Sequence, residues 1–267
     1  MASGCAAVGG IKAGSRVVLH RLTKWKRMAV SRLSLHYPSF LRFLPTSRPL
    51  HVRRCPYAGP SLSRDLLVCL PGIGDDAKDF EDWGFVDLVR AYSWAADILL
   101  VDAHYGYYAD RSVLEQLRCD IVLPSSSSGY RSIWLAGISM GGLGALLYAS
   151  QYQEDIRGVV AIAPFLGTHT LVEEIRVSGG LARWTSTVST FDEIRTLWAW
   201  THARSQRAAA PPEIFLGFGE QDVFVEAHRL LASSLPAARV LTAPGGHRWP
   251  TWQALWKQFL HLRPWMT

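Results

Sequence analysis

The sequence has very little cysteine and, over its first 64 residues, no acid at all. Cys5, Cys55, Cys69 and Cys119 are the four cysteines among 267 residues. None forms a C-x-x-C pair and none stands at zinc-ligand spacing with a histidine, so neither a disulfide framework nor a structural zinc site is expected. Cys69 lies inside an apolar run and reads as a small core residue. Four free thiols suit a reducing compartment. Runs of about 18 apolar residues are missing, so no transmembrane helix is expected. A signal-peptide h-region is also missing. Together these absences make the cytoplasm the expected location. No short period recurs, which argues against solenoid, collagen and coiled-coil folds.

The missing acid makes the charge lopsided. Residues 1–64 hold 12 Lys and Arg, whereas from Asp65 onward there are 16 basic and 22 acidic residues. The net charge of +6 and the pI near 9.3 therefore belong to the N-terminal segment. A nucleic-acid-binding body needs a basic face, so no nucleic-acid partner is expected. Within the segment, Val18, Leu22, Trp25, Ala29 and Leu33 recur at helical spacing, with Arg21, Lys24, Arg27 and Arg32 between them. Such a helix can lie on an anionic membrane surface, pack on a domain or form a leader. Residues 1–60 are expected to be a basic extension, with peripheral membrane contact as one of its roles. Leu50-His51-Val52 reads as an outer strand.

What is present is core-forming material: 49 % hydrophobic and 19 % charged residues, enough to exclude bulk disorder. From Asp65 onward apolar runs alternate with helical patterns. Leu66–Leu70, Asp97–Val101, Ser132–Ile138, Gly158–Ala163, Glu213–Phe218 and Arg239–Thr242 read as strands. Phe85, Leu88, Val89 and Tyr92 repeat at i, i+3, i+4, i+7 and mark a helix. Asp110 is placed to cap a helix carrying Val113, Leu117 and Ile121. Pro124 and Ser125–Ser128 read as a loop. Gly141–Gln151, a segment with Ala227, Leu230 and Leu231, and a last segment with Trp252, Leu255, Trp256 and Phe259 read as helices. Alternating β and α segments with continuously apolar strands predict an α/β fold, a mostly parallel sheet with helices on both faces. Ligand sites in such sheets form at the carboxyl ends of strands.

Every chemistry-bearing motif falls at such an end. Gly137-Ile138-Ser139-Met140-Gly141 follows a strand and opens a helix, the context of a nucleophile elbow. A serine hydroxyl needs a base to take its proton. Gly245-Gly246-His247 follows the last strand, and its glycines suit a loop that bends His247 over the sheet; His104 is the competitor. Asp222 follows Phe215–Gly219 closely enough to orient His247, with Glu220 and Asp102 as alternatives. Two backbone N–H donors are needed for an oxyanion. Met140, at the helix start, is one candidate. Ile73 is the other, in the loop Leu70-Pro71-Gly72-Ile73-Gly74, with Gly74 as runner-up. Gly72 and Gly74 would let substrate approach this backbone closely.

Residues from about 65 to 262 resemble the α/β-hydrolase superfamily in strand order, elbow, acid loop and terminal histidine loop. Gly245-Gly246-His247-Arg248-Trp249 with Trp252 resembles the Gly-His-Asp-Trp…Trp signature of bacterial members related to esterase D. Arg248 stands where Asp is common, and Pro71-Gly72 replaces the usual His-Gly. The resemblance implies acyl-enzyme hydrolysis without a metal or an organic cofactor. A helical lid is expected over about 165–210, inserted in a domain of 61–267. It carries Trp184 and Trp198, which could line an apolar substrate site or simply pack.

The expected activity is therefore cleavage of a small-molecule ester or thioester by Ser139, Asp222 and His247. Acyl transfer on the same triad, a lipase acting at a membrane surface and a non-catalytic binding protein remain alternatives.

Overall fold

A computed structural model describes residues 46–59, 65–185, 192–206 and 211–266. The helical spacing over Val18–Leu33 lies outside the described residues. The sheet has seven strands: β1 (Val52–Cys55), β2 (Asp65–Leu70), β3 (Ala96–Val101), β4 (Ser132–Ile138), β5 (Gly158–Ile162), β6 (Glu213–Gly219) and β7 (Val240–Ala243). Their spatial order is β1-β3-β2-β4-β5-β6-β7. Strand β1 pairs antiparallel with β3, and every other pairing is parallel.

The first helices are α1 (Ala77–Asp82), α2 (Phe85–Ala91), α3 (Tyr105–Ala109), α4 (Val113–Gln116) and α5 (Leu123–Ser127). They are followed by α6 (Met140–Gln151), α7 (His169–Val177), α8 (Glu193–Ser205), α9 (Val225–Ala232) and α10 (Trp249–Leu262). The sheet is apolar on both faces because helices cover both, and the core accordingly divides into two clusters. One holds Leu66, Val68, Leu135, Leu146 and Ala161 against α6. The other holds Leu67, Trp134, Val160, Leu255, Trp256 and Phe259 against α10. Side chains of successive strand residues point to opposite faces, which splits Leu66 from Leu67 in this way. The residues expected to form the buried stripe of the last helix do so: Trp252, Leu255, Trp256 and Phe259 are all buried. Cys69 is buried in the second cluster.

Three local expectations need correction. The outer strand is Val52–Cys55 rather than Leu50–Val52. Leu50 is instead buried, with its N–H donated to the Asp120 carboxylate at 3.0 Å. This strand lies inside the 1–60 segment and forms one edge of the sheet. Asp110 does not cap a long helix. It ends α3 and accepts from the Ser112 N–H at 3.0 Å. Ser125–Ser128 is no loop, because α5 runs through Ser127. A π-helical stretch, Leu117–Val122, leads into it without a break, and Pro124 stands just past that wider stretch.

Among the described residues no helix is long and apolar enough to cross a membrane. Between β5 and β6 the described residues contain α7 and α8.

Candidate active site

Strand β4 delivers Ser139 at its carboxyl end, and α6 begins at the next residue. The turn is strained: Ser139 has φ 53 and ψ −110, a conformation side-chain-bearing residues rarely adopt. Three glycines make it possible. A Cβ on Gly137 would lie 2.1 Å from the Gly141 carbonyl oxygen, one on Gly141 2.1 Å from that of Leu70, and one on Gly142 3.0 Å from Pro164. The strained residue is fixed on both sides by hydrogen bonds. Its N–H donates to the Ile162 carbonyl at 2.9 Å, and its own carbonyl accepts from Leu143 at 3.1 Å and Phe165 at 2.9 Å.

The loop after β7 places His247 beside this serine. His247 Nε2 lies 2.9 Å from Ser139 Oγ. On the other side of the ring, Nδ1 lies 2.9 and 3.1 Å from the two oxygens of Asp222. The expected acid, base and hydroxyl therefore meet in one hydrogen-bonded row. Ser139 is 8 % and Asp222 3 % exposed, so the row is almost dry. Asp222 is itself braced by a hydrogen bond from the Phe224 N–H at 2.9 Å. Burial pushes its carboxyl up. The hydrogen bond and charge of His247 and the Phe224 N–H outweigh that and hold it below the ordinary aspartate range. It stays ionised, as an orienting group must.

The competitors have other work. His104 caps α3, its Nδ1 accepting from the Gly106 N–H at 3.1 Å. Asp102 accepts from the Ala77 N–H at 2.8 Å and so orders the start of α1. Glu220 is exposed.

Met140 is the first residue of α6, where an N–H has no partner within the helix. The loop after β2 passes directly over Ser139: a Cβ on Gly72 would lie 3.5 Å from the serine Cβ. A turn closed from Asp75 N–H to Gly72 O at 3.2 Å presents Ile73 and Gly74 there, with Gly74 at φ 81. Gly72 of this loop and Met140, next in sequence, thus adjoin Ser139.

Trp184 and Trp198 do not border it. Both are core residues, 7 % and 1 % exposed. Trp184 donates its indole N–H to Glu174 at 2.9 Å, and Trp198 donates to the Leu166 carbonyl at 3.0 Å. Neither lines the cavity next to the site, so their reading as substrate-binding residues is corrected to packing. That cavity measures about 180 Å³ and is bounded in part by Met140, Leu143, Leu147, Phe165 and Ile194.

Sequence reasoning missed two further residues. Phe224 packs edge-on against the His247 ring, centroids 5.2 Å apart, and against Phe165 at 5.6 Å. His228 is fully buried, and its Nε2 lies 3.0 Å from the Pro164 carbonyl. Nδ1 of His228 has no hydrogen-bond partner. Burial pushes its pKa down to about 4, against the opposing pull of the Asp222 charge and the Pro164 carbonyl, so the ring is neutral. Its place three residues before the buried Leu231, on the apolar face of α9, is the signal that could have marked it.

Residues 120–193 match the family model described as serine aminopeptidase, S33. The match includes the elbow but neither Asp222 nor His247. No curated protein matches the chain by sequence. Many solved structures are similar in fold. Est1E from Butyrivibrio proteoclasticus superposes with a TM-score of 0.54 at 15 % identity, over 79 % of this chain and 91 % of that one. The S-formylglutathione hydrolase FrmB from Staphylococcus aureus gives 0.52 at 13 %, over 82 % and 98 %. FphF, a fluorophosphonate-binding serine hydrolase of Staphylococcus aureus, gives 0.51 at 12 %, over 80 % and 98 %. The chain has the fold that these esterases and serine hydrolases share.

Proposed function

We propose that the chain is a serine hydrolase that cleaves a carboxylic ester or thioester through an acyl-enzyme. The observation that carries this reading is the unbroken row from Ser139 Oγ to His247 Nε2 and from His247 Nδ1 to Asp222. His247 Nε2 takes the hydroxyl proton as Oγ bonds to the substrate carbonyl carbon. The carbonyl oxygen becomes an oxyanion between the N–H groups of Met140 and Ile73. Collapse of this intermediate breaks the bond to the leaving alcohol or thiol, which receives the proton from His247. Water then enters, gives its proton to His247 and attacks the acyl carbon. The acid departs and the proton returns to Ser139. Asp222 holds the imidazole so that Nε2 faces the serine, and stabilises the imidazolium formed in each half-reaction.

The substrate is a small ester whose organic part is uncharged and moderately apolar, because the neighbouring cavity is walled largely by apolar side chains. Phe165 and Ile194, which fall in the segment expected to be a lid, form part of its wall. Three free cysteines among the described residues accord with a reducing, cytoplasmic setting.

The test is covalent labelling with a small fluorophosphonate. The parent protein should label stoichiometrically and Ser139→Ala should not. Equal labelling of the two proteins would remove Ser139 as the nucleophile.

A further inference from the structure

The cavity of about 180 Å³ has one wall with a regular geometry. Met140, Leu143 and Leu147 all line it and lie at i, i+3 and i+7 of α6, so they share one face of that helix. The face begins at the residue next to Ser139 and leads away from it. From Met140 to Leu147 the helix rises about 10 Å, at about 1.5 Å per residue. Phe165, whose N–H donates to the Ser139 carbonyl, and Ile194 of α8 line the cavity as well, and Arg111 and Glu193 add charged groups to its wall. A channel of this kind starts beside the reacting centre, at Met140 and Phe165 rather than at Ser139 itself, and presents a near side chain, Leu143, and a far one, Leu147.

Its direction identifies the part of the substrate it would take. The leaving group must end within reach of His247 Nε2 to receive its proton. No residue of the His247 loop lines the cavity, and Phe165 is separated from that ring by Phe224. The group that stays on Ser139 is therefore the one facing the channel. For size, a cavity of about 150 Å³ in another protein holds one benzene ring. Some 180 Å³ accordingly suits a single ring or a chain of about six to eight carbons.

Resting on the triad reading above, the geometry points to α6 as a ruler for the acyl chain. Leu143 and Leu147 set its length, and the preferred substrates are esters of medium-chain or single-ring acids. Gly144, between the two leucines, lets Tyr108 close the side of the channel. A Cβ there would lie 2.7 Å from the Tyr108 hydroxyl.

The experiment is a kcat/KM profile on p-nitrophenyl esters from acetate to dodecanoate, which keeps the leaving group constant. The parent should be fastest between hexanoate and octanoate. Leu147→Trp should shift the maximum toward butyrate, and Leu143→Trp should shift it further, to acetate. In each variant the octanoate-to-acetate ratio should fall at least tenfold. Labelling of Ser139 by a small fluorophosphonate reports that each variant is folded. Leu147→Phe and Leu143→Phe replace any that do not label. An unchanged profile, or a uniform loss at every chain length, overturns the ruler. A shift confined to a second series, with a fixed acyl group and varied alcohols, overturns the acyl assignment. A parent that cleaves and labels with a flat profile sinks the ruler alone, whereas a parent that does neither sinks the triad reading together with it.

Discussion

The missing Cβ of Gly141 would lie 2.1 Å from the carbonyl oxygen of Leu70, so strand β2 and the start of α6 touch backbone to backbone. Nothing at this contact can yield, because neither partner is the end of a flexible side chain. Gly141→Ala should therefore cost more than about 2 kcal/mol by urea unfolding, since overpacking is destabilising. It should also lower labelling of Ser139, whose turn it displaces. Stability and labelling close to the parent's would show that β2 and the elbow can separate freely.

Asp222→Asn should keep the fold and lose about 10³ to 10⁴ in kcat, because an amide opposite Nδ1 favours the wrong tautomer of His247. Asp102→Ala should do the reverse. It leaves the Ala77 N–H without its acceptor, at roughly 1–3 kcal/mol of stability, while turnover persists. Thermal melts and steady-state rates on both variants check the pair. Loss of turnover in the Asp102 variant alone would transfer the role of acid to that residue.

His228 makes the fold sensitive to acid. Its pKa in the folded protein, about 4, lies below the 6.5 of an unperturbed histidine. Between those values the unfolded chain takes up a proton that the folded chain refuses. This contribution to stability is complete above pH 6.5 and is lost as pH falls toward 4, to a total of about 3 kcal/mol. His228→Gln keeps a donor for the Pro164 carbonyl and removes the titration. Urea midpoints at pH 7 and pH 4.5 should converge in this variant relative to the parent. An identical pH dependence in the two proteins would mean that the ring is not buried in its neutral form.

Trp198→Phe should lower the melting temperature without changing the acyl-chain profile. The substitution leaves the Leu166 carbonyl without its indole donor and removes packing beneath α8, yet the residue does not line the cavity. A changed chain-length preference would restore this tryptophan to the substrate site.

The elbow was legible because glycine spacing and an apolar run constrain a strand–turn–helix so tightly that few other sequences fit. Asp222 and His247 were legible through their position after strands β6 and β7, since parallel strands aim their carboxyl ends at one place. The tryptophans were not. A sequence shows that Trp184 and Trp198 are large and apolar, but whether such a ring faces a cavity or a core depends on partners such as Glu174 and the Leu166 carbonyl, which are remote along the chain or unremarkable in it. The edge strand slipped by two residues for a similar reason. Its register is fixed by pairing with β3, and the side chain that anchors Leu50 is Asp120, seventy positions away. Helix α5 was hidden because serines and a proline read as a loop, while the wider stretch before it runs into the helix without a break.

The N–H of Phe165 is committed to Ser139 and the carbonyl of Pro164 to His228, so the chain leaving β5 grows from ground that the nucleophile itself occupies. Gly167 follows these ties, and its φ of 112 suits a residue without a side chain. Damage to these ties would reach the backbone that carries the reactive hydroxyl directly. Substitutions at 163–166 should therefore cost activity, whereas those just past Gly167 first meet the packing of Leu171 and Ile175.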